Sequence, residues 1–172
     1  MNFNKNYTLE DLTLTLTDES HINKLVDYSC NKKFYKYLEY TPFTKKEAEI
    51  YFKKKINSRK VILFTIFYKK KIIGTFSINN YNKKKGECLI GYGINPDYWG
   101  KGIFNRLIKL VVKKIFIKKG HKINVITRSD NFSSLIGLIK NNFIIFKKLS
   151  NFYYDKKTKK KYDAIKLQWI KN

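Results

Sequence analysis

Cysteine, histidine and arginine are scarce in this 172-residue chain, and long apolar runs are missing. The two cysteines, Cys30 and Cys88, lie far apart and form neither a disulfide framework nor a CxxC pair, so reduced thiols are expected. The two histidines, His21 and His121, share no ligand spacing with cysteines or carboxylates. No metal is therefore expected, and both histidines read as surface residues. No apolar stretch approaches the ~18 residues a membrane span needs. The opening residues, Met1-Asn-Phe-Asn-Lys-Asn-Tyr-Thr-Leu-Glu-Asp11, carry no apolar segment behind their charge, which argues against a secretory leader. These absences lead to the expectation of one domain over residues 1–172, cytoplasmic and without a membrane partner.

Acidic residues are also few: 13 Asp and Glu against 37 Lys and Arg give a net charge of +24. Arg59, Arg106 and Arg128 are the only arginines, so the charge is almost all lysine, alongside abundant Asn, Ile, Phe and Tyr. Two origins stay open: AT-rich coding with solvated lysines, or an anionic partner such as nucleic acid or the ribosome. The lysine clusters at 53–55, 69–71, 83–85 and 156–161 fall mainly at turns and helix ends, and no RNA-binding signature accompanies them. Whatever its origin, such a surface attracts acidic molecules and repels polycations within about 8–10 Å at physiological salt.

What is present is a core. Hydrophobic residues make up 43% and aromatics 16%, enough to exclude wholesale disorder. Leu12, Leu14 and Leu16 alternate with threonines as in a half-buried strand. Thr17-Asp-Glu-Ser20 then caps a helix bearing Ile22, Leu25 and Val26, and Thr44-Lys-Lys-Glu47 matches a capping box. Tyr35–Pro42 between them reads as a loop. Strands follow at Val61–Tyr68, Ile72–Ile78 and Glu87–Ile94, and a helix over Ile103–Lys119 ends at Gly120. A strand at Ile123–Thr127, a helix at Phe132–Lys140 and terminal strands at Phe143–Phe146 and Tyr162–Trp169 complete the order. The pattern is a mixed α/β layer fold with a central, mostly antiparallel sheet flanked by helices.

Chemistry concentrates in Gly91-Tyr-Gly-Ile-Asn-Pro-Asp-Tyr-Trp-Gly-Lys-Gly-Ile-Phe-Asn-Arg106. A strand runs through a proline turn and a Gly-x-Gly straight into an amphipathic helix. The first helical amides lack internal partners and sit at the positive end of the dipole. Gly100 and Gly102 let a phosphate approach the main chain, and Lys101 and Arg106 add charge nearby. Neither the GxxxxGK[ST] phosphate loop nor the dinucleotide fingerprint is present. Gly91 and Gly93 within the strand suggest a bulge or a close backbone approach, or merely relief of sheet twist.

The run Asn95–Gly102 resembles the acetyl-CoA pyrophosphate loop of the GNAT N-acetyltransferases. Asp130-Asn131-Phe-Ser-Ser134, continuing to Phe143, is similar to that family's Asn-x-x-Ser/Ala helix, and within it to the RimJ/RimL branch of ribosomal-protein N-terminal acetyltransferases. The resemblance implies the GNAT fold, with acetyl-CoA as co-substrate bound by Ile94, Trp99, Gly100, Lys101, Gly102, Ile103, Phe104, Asn105 and Asn131. It further implies direct transfer to an amine acceptor, with Ser134 protonating the leaving thiolate. Main-chain amides near Gly91–Ile94 would hold the thioester carbonyl. Glu87, on the same strand face as the family's usual glutamate, is the candidate base; Leu89 occupies that usual position. Further departures are Trp99 in place of Gln or Arg, Phe104 where a small residue is usual, Leu138 in place of a tyrosine acid, and Asn142 where glycine is preferred.

The acceptor implied is a protein N-terminal α-amine of the ribosomal type. A small amine (amino sugar, amino acid or antibiotic) and a non-catalytic RNA- or ribosome-binding role are the alternatives. Tyr35–Pro42 and Asn151–Asp155 are expected to line the acceptor pocket of a monomer or homodimer. Cys88 reads as a buried small residue.

Overall fold

The computed structural model describes residues 3, 6–38, 44–118, 120–155 and 158–171. Eight strands form one sheet in the order β1-β2-β3-β4-β5-β6-β8-β7. They are β1 (Asn6–Leu9), β2 (Leu12–Leu16), β3 (Val61–Tyr68), β4 (Lys71–Asn82), β5 (Glu87–Ile94), β6 (Lys122–Arg128), β7 (Ile144–Asp155) and β8 (Lys160–Ile170). Every neighbouring pair is antiparallel except β5–β6. Helices α1 (Glu19–Ser29), α2 (Lys32–Tyr35) and α3 (Lys45–Ile56) fill the β2–β3 connection. Helices α4 (Ile103–Leu110) and α5 (Phe132–Ile139) precede β6 and β7.

Two apolar clusters hold these layers. One joins the sheet to α4 and α5 through Phe64, Phe76, Ile103, Leu107 and Leu138; the other joins α1–α3 to Leu63. The Thr44–Glu47 box forms as the spacing predicts. Glu47 Oε2 accepts from the Thr44 amide at 2.9 Å, and Thr44 Oγ1 accepts from the Glu47 amide at 3.2 Å. The expected loop at Tyr35–Pro42 is instead helical at its start, where Asn31 caps α2; residues 39–42 lie outside the described set.

Four other expectations need correction. The sheet begins with β1, whose four residues alternate too briefly to stand out. The helix from Ile103 does not reach Gly120: it widens into a π turn at Val111–Ile115 and stops at Phe116. The wider turn brings the adjacent Ile115 and Phe116 into the core together, both at 0% exposure. The strand expected at Phe143–Phe146 starts at Ile144 and continues to Asp155, interrupted by register shifts and by Asn151 at φ 52°. Neither histidine is a simple surface residue. His21 Nδ1 meets Thr65 Oγ1 at 3.0 Å, and His121 is buried at 5% exposure.

Asn142 just beyond α5 has φ 64°, so the position needs the left-handed region. Glycine suits it best and asparagine next, which explains the departure seen in the sequence.

His121 packs edge-on against Phe116, and its Nδ1 finds no partner among the described residues. Burial, and then Lys118, pushes its pKa below the usual value, so the folded chain holds it neutral. The unfolded chain takes up that proton below about pH 6.5. Urea unfolding should therefore show full stability above that pH and a falling midpoint toward pH 5.5, with the fall reduced in His121→Leu. A flat profile in the native chain would contradict this burial.

Candidate active site

The parallel pair β5–β6 is the point where the sheet opens. Glu87, Cys88 and Leu89 pair with Lys122, Ile123 and Asn124, and there the pairing ends. β6 continues beside β8 as far as Arg128 opposite Ala164, while β5 stays with β4 up to Ile94. Above Leu89 the two strands part and leave a wedge. Asn124 secures its foot: Nδ2 donates to Glu87 Oε1 at 2.9 Å and to the Cys88 carbonyl at 3.1 Å, and Oδ1 accepts from Gln168 Nε2 at 3.1 Å.

Gly91 and Gly93 do not form a bulge, since their register with β4 is regular. They make room on the sheet surface. A Cβ on Gly93 would lie 2.9 Å from the Phe34 ring, and one on Gly91 2.9 Å from Ser77 Oγ.

At the top of β5 the chain turns through a 3₁₀ segment, Pro96–Tyr98, with Asn95 accepting from the Asp97 amide. Trp99 fastens this turn, its indole N–H donating to the Ile94 carbonyl at 2.7 Å. Lys101 ties the loop down too: Nζ donates to the Asp97 carbonyl at 2.9 Å and lies over the Tyr98 ring. Gly100 and Gly102 adopt φ 74° and 69°, and a Cβ on either would meet nothing within 4 Å. Gly102 is the N-cap of α4 and offers no side-chain bond to the first-turn amides of Ile103, Phe104 and Asn105. The cradle is thus open, left-handed where glycine is needed, and rich in donors, which fits a phosphate-bearing group. Arg106 does not add to it, because its guanidinium turns to Asp11 Oδ1 at 2.6 Å and stacks on Tyr68.

Ser134 comes from the first turn of α5, where Asn131 Oδ1 accepts from its amide at 3.3 Å. The cap thus performs a structural duty while also lining the cavity beside the loop. Arg128 holds the preceding turn: it grips Asp130 in bidentate fashion at 2.9 and 2.6 Å and stacks on Tyr162. That pairing keeps the Asp130 carboxyl below its usual pKa.

Ser134 Oγ lies 2.5 Å from Tyr92 Oη. Tyr92 also packs against Phe104, the rings tilted by 45° with centroids 4.7 Å apart, and Asn105 Oδ1 accepts from Asn141 Nδ2 at 3.1 Å, joining α4 to the end of α5. Burial raises the Tyr92 phenol above its ordinary pKa, with the Ser134 contact opposing, so the hydroxyl stays protonated.

Two cavities meet here. One of about 330 Å³ lies among β5, the 98–105 loop and α5; the other, of about 360 Å³, fills the wedge. They share Phe34, Tyr37, Leu38, Tyr92, Gly93 and Asn131. A wider basin of about 1000 Å³ adjoins the wedge cavity, sharing Leu38, Tyr51 and Tyr153 with it. Among the described residues, Lys140 is the charged side chain of the first cavity and Lys55 of the second.

Of the residues singled out in the sequence, Ile94, Trp99, Gly100, Gly102, Ile103, Phe104, Asn105, Asn131 and Ser134 line the first cavity together. Lys101 is bonded to its own loop and is not among the lining residues. Glu87 is not brought to them: it sits at the foot of the wedge, bonded to Asn124, and lines neither cavity. A base role for it has no support in this geometry. Cys88 is a buried small residue, its thiol pushed up to about 12, first by burial and then by Glu87. Tyr92 was missed, since no local pattern links it to a serine forty-two positions on.

The fold agrees with those of known acetyltransferases. One neighbour is the Salmonella typhimurium acetyl transferase that modifies the N-terminal serine of ribosomal protein L7/L12 (TM-score 0.82, 18% identity, covering 95% of this chain and 97% of that one). Another is spermidine N-acetyltransferase from Vibrio cholerae, in complex with CoA and spermine (0.79, 17%, 95% and 97%). A third is the microcin C7 self-immunity acetyltransferase MccE, in complex with acetyl-CoA and AMP (0.81, 18%, 94% and 93%). No curated protein matches in sequence. The architecture is thus that of an acetyltransferase. The family described as "Acetyltransferase (GNAT) domain" matches residues 11–143, and the chain belongs to it. It is an acetyl-CoA-dependent N-acetyltransferase.

Proposed function

We propose that this enzyme acetylates a protein N-terminal α-amine, in the manner of the ribosomal-protein acetyltransferases, by direct transfer from acetyl-CoA. In this reading the first-turn amides of α4, with Gly100 and Gly102, hold the diphosphate. Main-chain groups of Gly91–Ile94, freed where β5 leaves β6, receive the pantetheine arm and polarise the thioester carbonyl. Ser134 supplies a proton to the departing thiolate.

One observation carries the choice of acceptor. Neither cavity at the meeting point is lined by a carboxylate or a histidine among the described residues. Without a base beside it, the attacking amine has to arrive neutral. An α-amine of pKa about 7.7–8 does so readily at pH 7, whereas a lysine side chain at about 10.4 does not. The basin supports the same choice against polyamines. Its wall combines Lys32, Lys33, Lys36 and Lys54, with Arg128 paired to Asp130, against Glu47 and Asp155 among the described residues. Glu47 is engaged in the α3 cap, and Asp155 accepts from the Thr158 amide. A positive wall repels a polycation.

The test is mass spectrometry after incubation with acetyl-CoA and a panel of amines. The panel holds free-N-terminus peptides, the same peptides N-blocked with an internal lysine, spermidine, amino acids and amino sugars. Acetylation confined to free peptide N-termini is expected. Modification of spermidine or a sugar amine alone would overturn the assignment.

A further inference from the structure

We infer that Tyr92 is a positioning residue for Ser134, fixing the direction in which the serine hydroxyl offers its proton. The inference rests on the proposed role of Ser134 and adds a partner that acts through it.

A serine in a helix ordinarily turns its hydroxyl back onto the carbonyl one turn earlier. Ser29 does this, donating to the Leu25 carbonyl at 2.5 Å. Ser134 sits in the first turn of α5 and has no earlier helical carbonyl to bond; among the described residues its hydroxyl partner is Tyr92 Oη, at 2.5 Å. A buried hydroxyl, at 6% exposure, is thus bonded across to β5 rather than within its own helix.

Either hydroxyl can donate in this pair, and the donation is assigned to Tyr92. A hydroxyl has one proton and two acceptor sites. Tyr92 is held neutral by burial and so keeps its proton to give. When it donates to Ser134, the serine proton is left free to point elsewhere, and both residues line the cavity beside the 98–105 loop. The Tyr92 ring itself packs against Phe104, so the donor is held from behind.

The proton count closes without a tyrosinate. Nitrogen loses one proton as the C–N bond forms. Sulfur takes the Ser134 proton as the C–S bond breaks, and Ser134 regains the proton released from nitrogen. Tyr92 keeps its own proton throughout.

The experiment is a double-mutant cycle with Tyr92→Phe and Ser134→Ala. CoA thiol release is followed with a free-N-terminus peptide as acceptor, and acetyl-CoA binding is measured by calorimetry. Tyr92→Phe keeps the ring and its contact with Phe104, so acetyl-CoA affinity should stay within about twofold while kcat falls roughly tenfold. In the Ser134→Ala background the same substitution should cost nothing more, because the group it positions is gone. Independent losses that multiply in the double variant would mark Tyr92 as a packing residue and overturn the inference. So would an unchanged kcat in Tyr92→Phe when Ser134→Ala is slow. An unchanged kcat in Ser134→Ala would instead remove the role given to the serine, and this inference with it.

Discussion

Gly102→Glu is expected to abolish acetyl-CoA binding, raising Kd by more than about a hundredfold in calorimetry while leaving the circular dichroism spectrum intact. The fold is spared because a Cβ at this position meets no atom within 4 Å. Binding suffers for two reasons. A non-glycine residue held at φ 69° is strained by about 1–2 kcal/mol. The new carboxylate also stands at the mouth of the amide cradle, where it repels a diphosphate and competes for the same donors. Gly102→Asn separates the two effects: asparagine tolerates the left-handed region and carries no charge, so most of the affinity should survive. Undiminished binding by Gly102→Glu would mean that the diphosphate sits elsewhere.

The second large effect concerns α5. Glycine inside a helix is usually improved by alanine, by about 1 kcal/mol. At Gly137 the sign should reverse, because a Cβ there would lie 2.5 Å from both Cδ1 and Cε1 of Phe104. That ring cannot simply swing away, as it also rests on Tyr92. Gly137→Ala should therefore destabilise the chain by about 1–3 kcal/mol, the usual cost of overpacking, read from urea midpoints. In a Phe104→Ala background the same change should become neutral or favourable. A native chain made more stable by Gly137→Ala would show that the two helices are not in contact through this pair.

This pair also shows what could and could not be read from the residues. Phe104 stands out in sequence as a large side chain at a position where its family prefers a small one, yet nothing local says where the ring goes. The answer lies in Gly137, on a different helix, and only the packing of α4 on α5 reveals that one residue's excess matches the other's deficit. The same limit hid the link from Tyr92 to Ser134, forty-two positions apart. Locally coded features were legible: the alternation of β2, the Thr44–Glu47 box and the Gly-x-Gly entry to α4 all form as the spacing predicts. β7 was only partly legible because nearly all its residues are exposed on both faces, which erases the period-two signal. Glu87 shares β5 with Gly91 and Gly93 but lies at the foot of the wedge and lines neither cavity, since face alone does not tell how far up a strand a side chain sits.

Asn124 gives that height a mechanical meaning. The sheet is two leaves, β1–β5 and β6–β8, riveted together over three residues with this one amide bonded to both sides. From the rivet at Leu89 up to Gly93 is roughly 13 Å of strand, so a tilt of a few degrees at Asn124 moves the jaws about an ångström at the proposed thioester site. Glu87 thereby belongs to the pivot of a pair of tongs, and the gap at the tips is set at the end far from them.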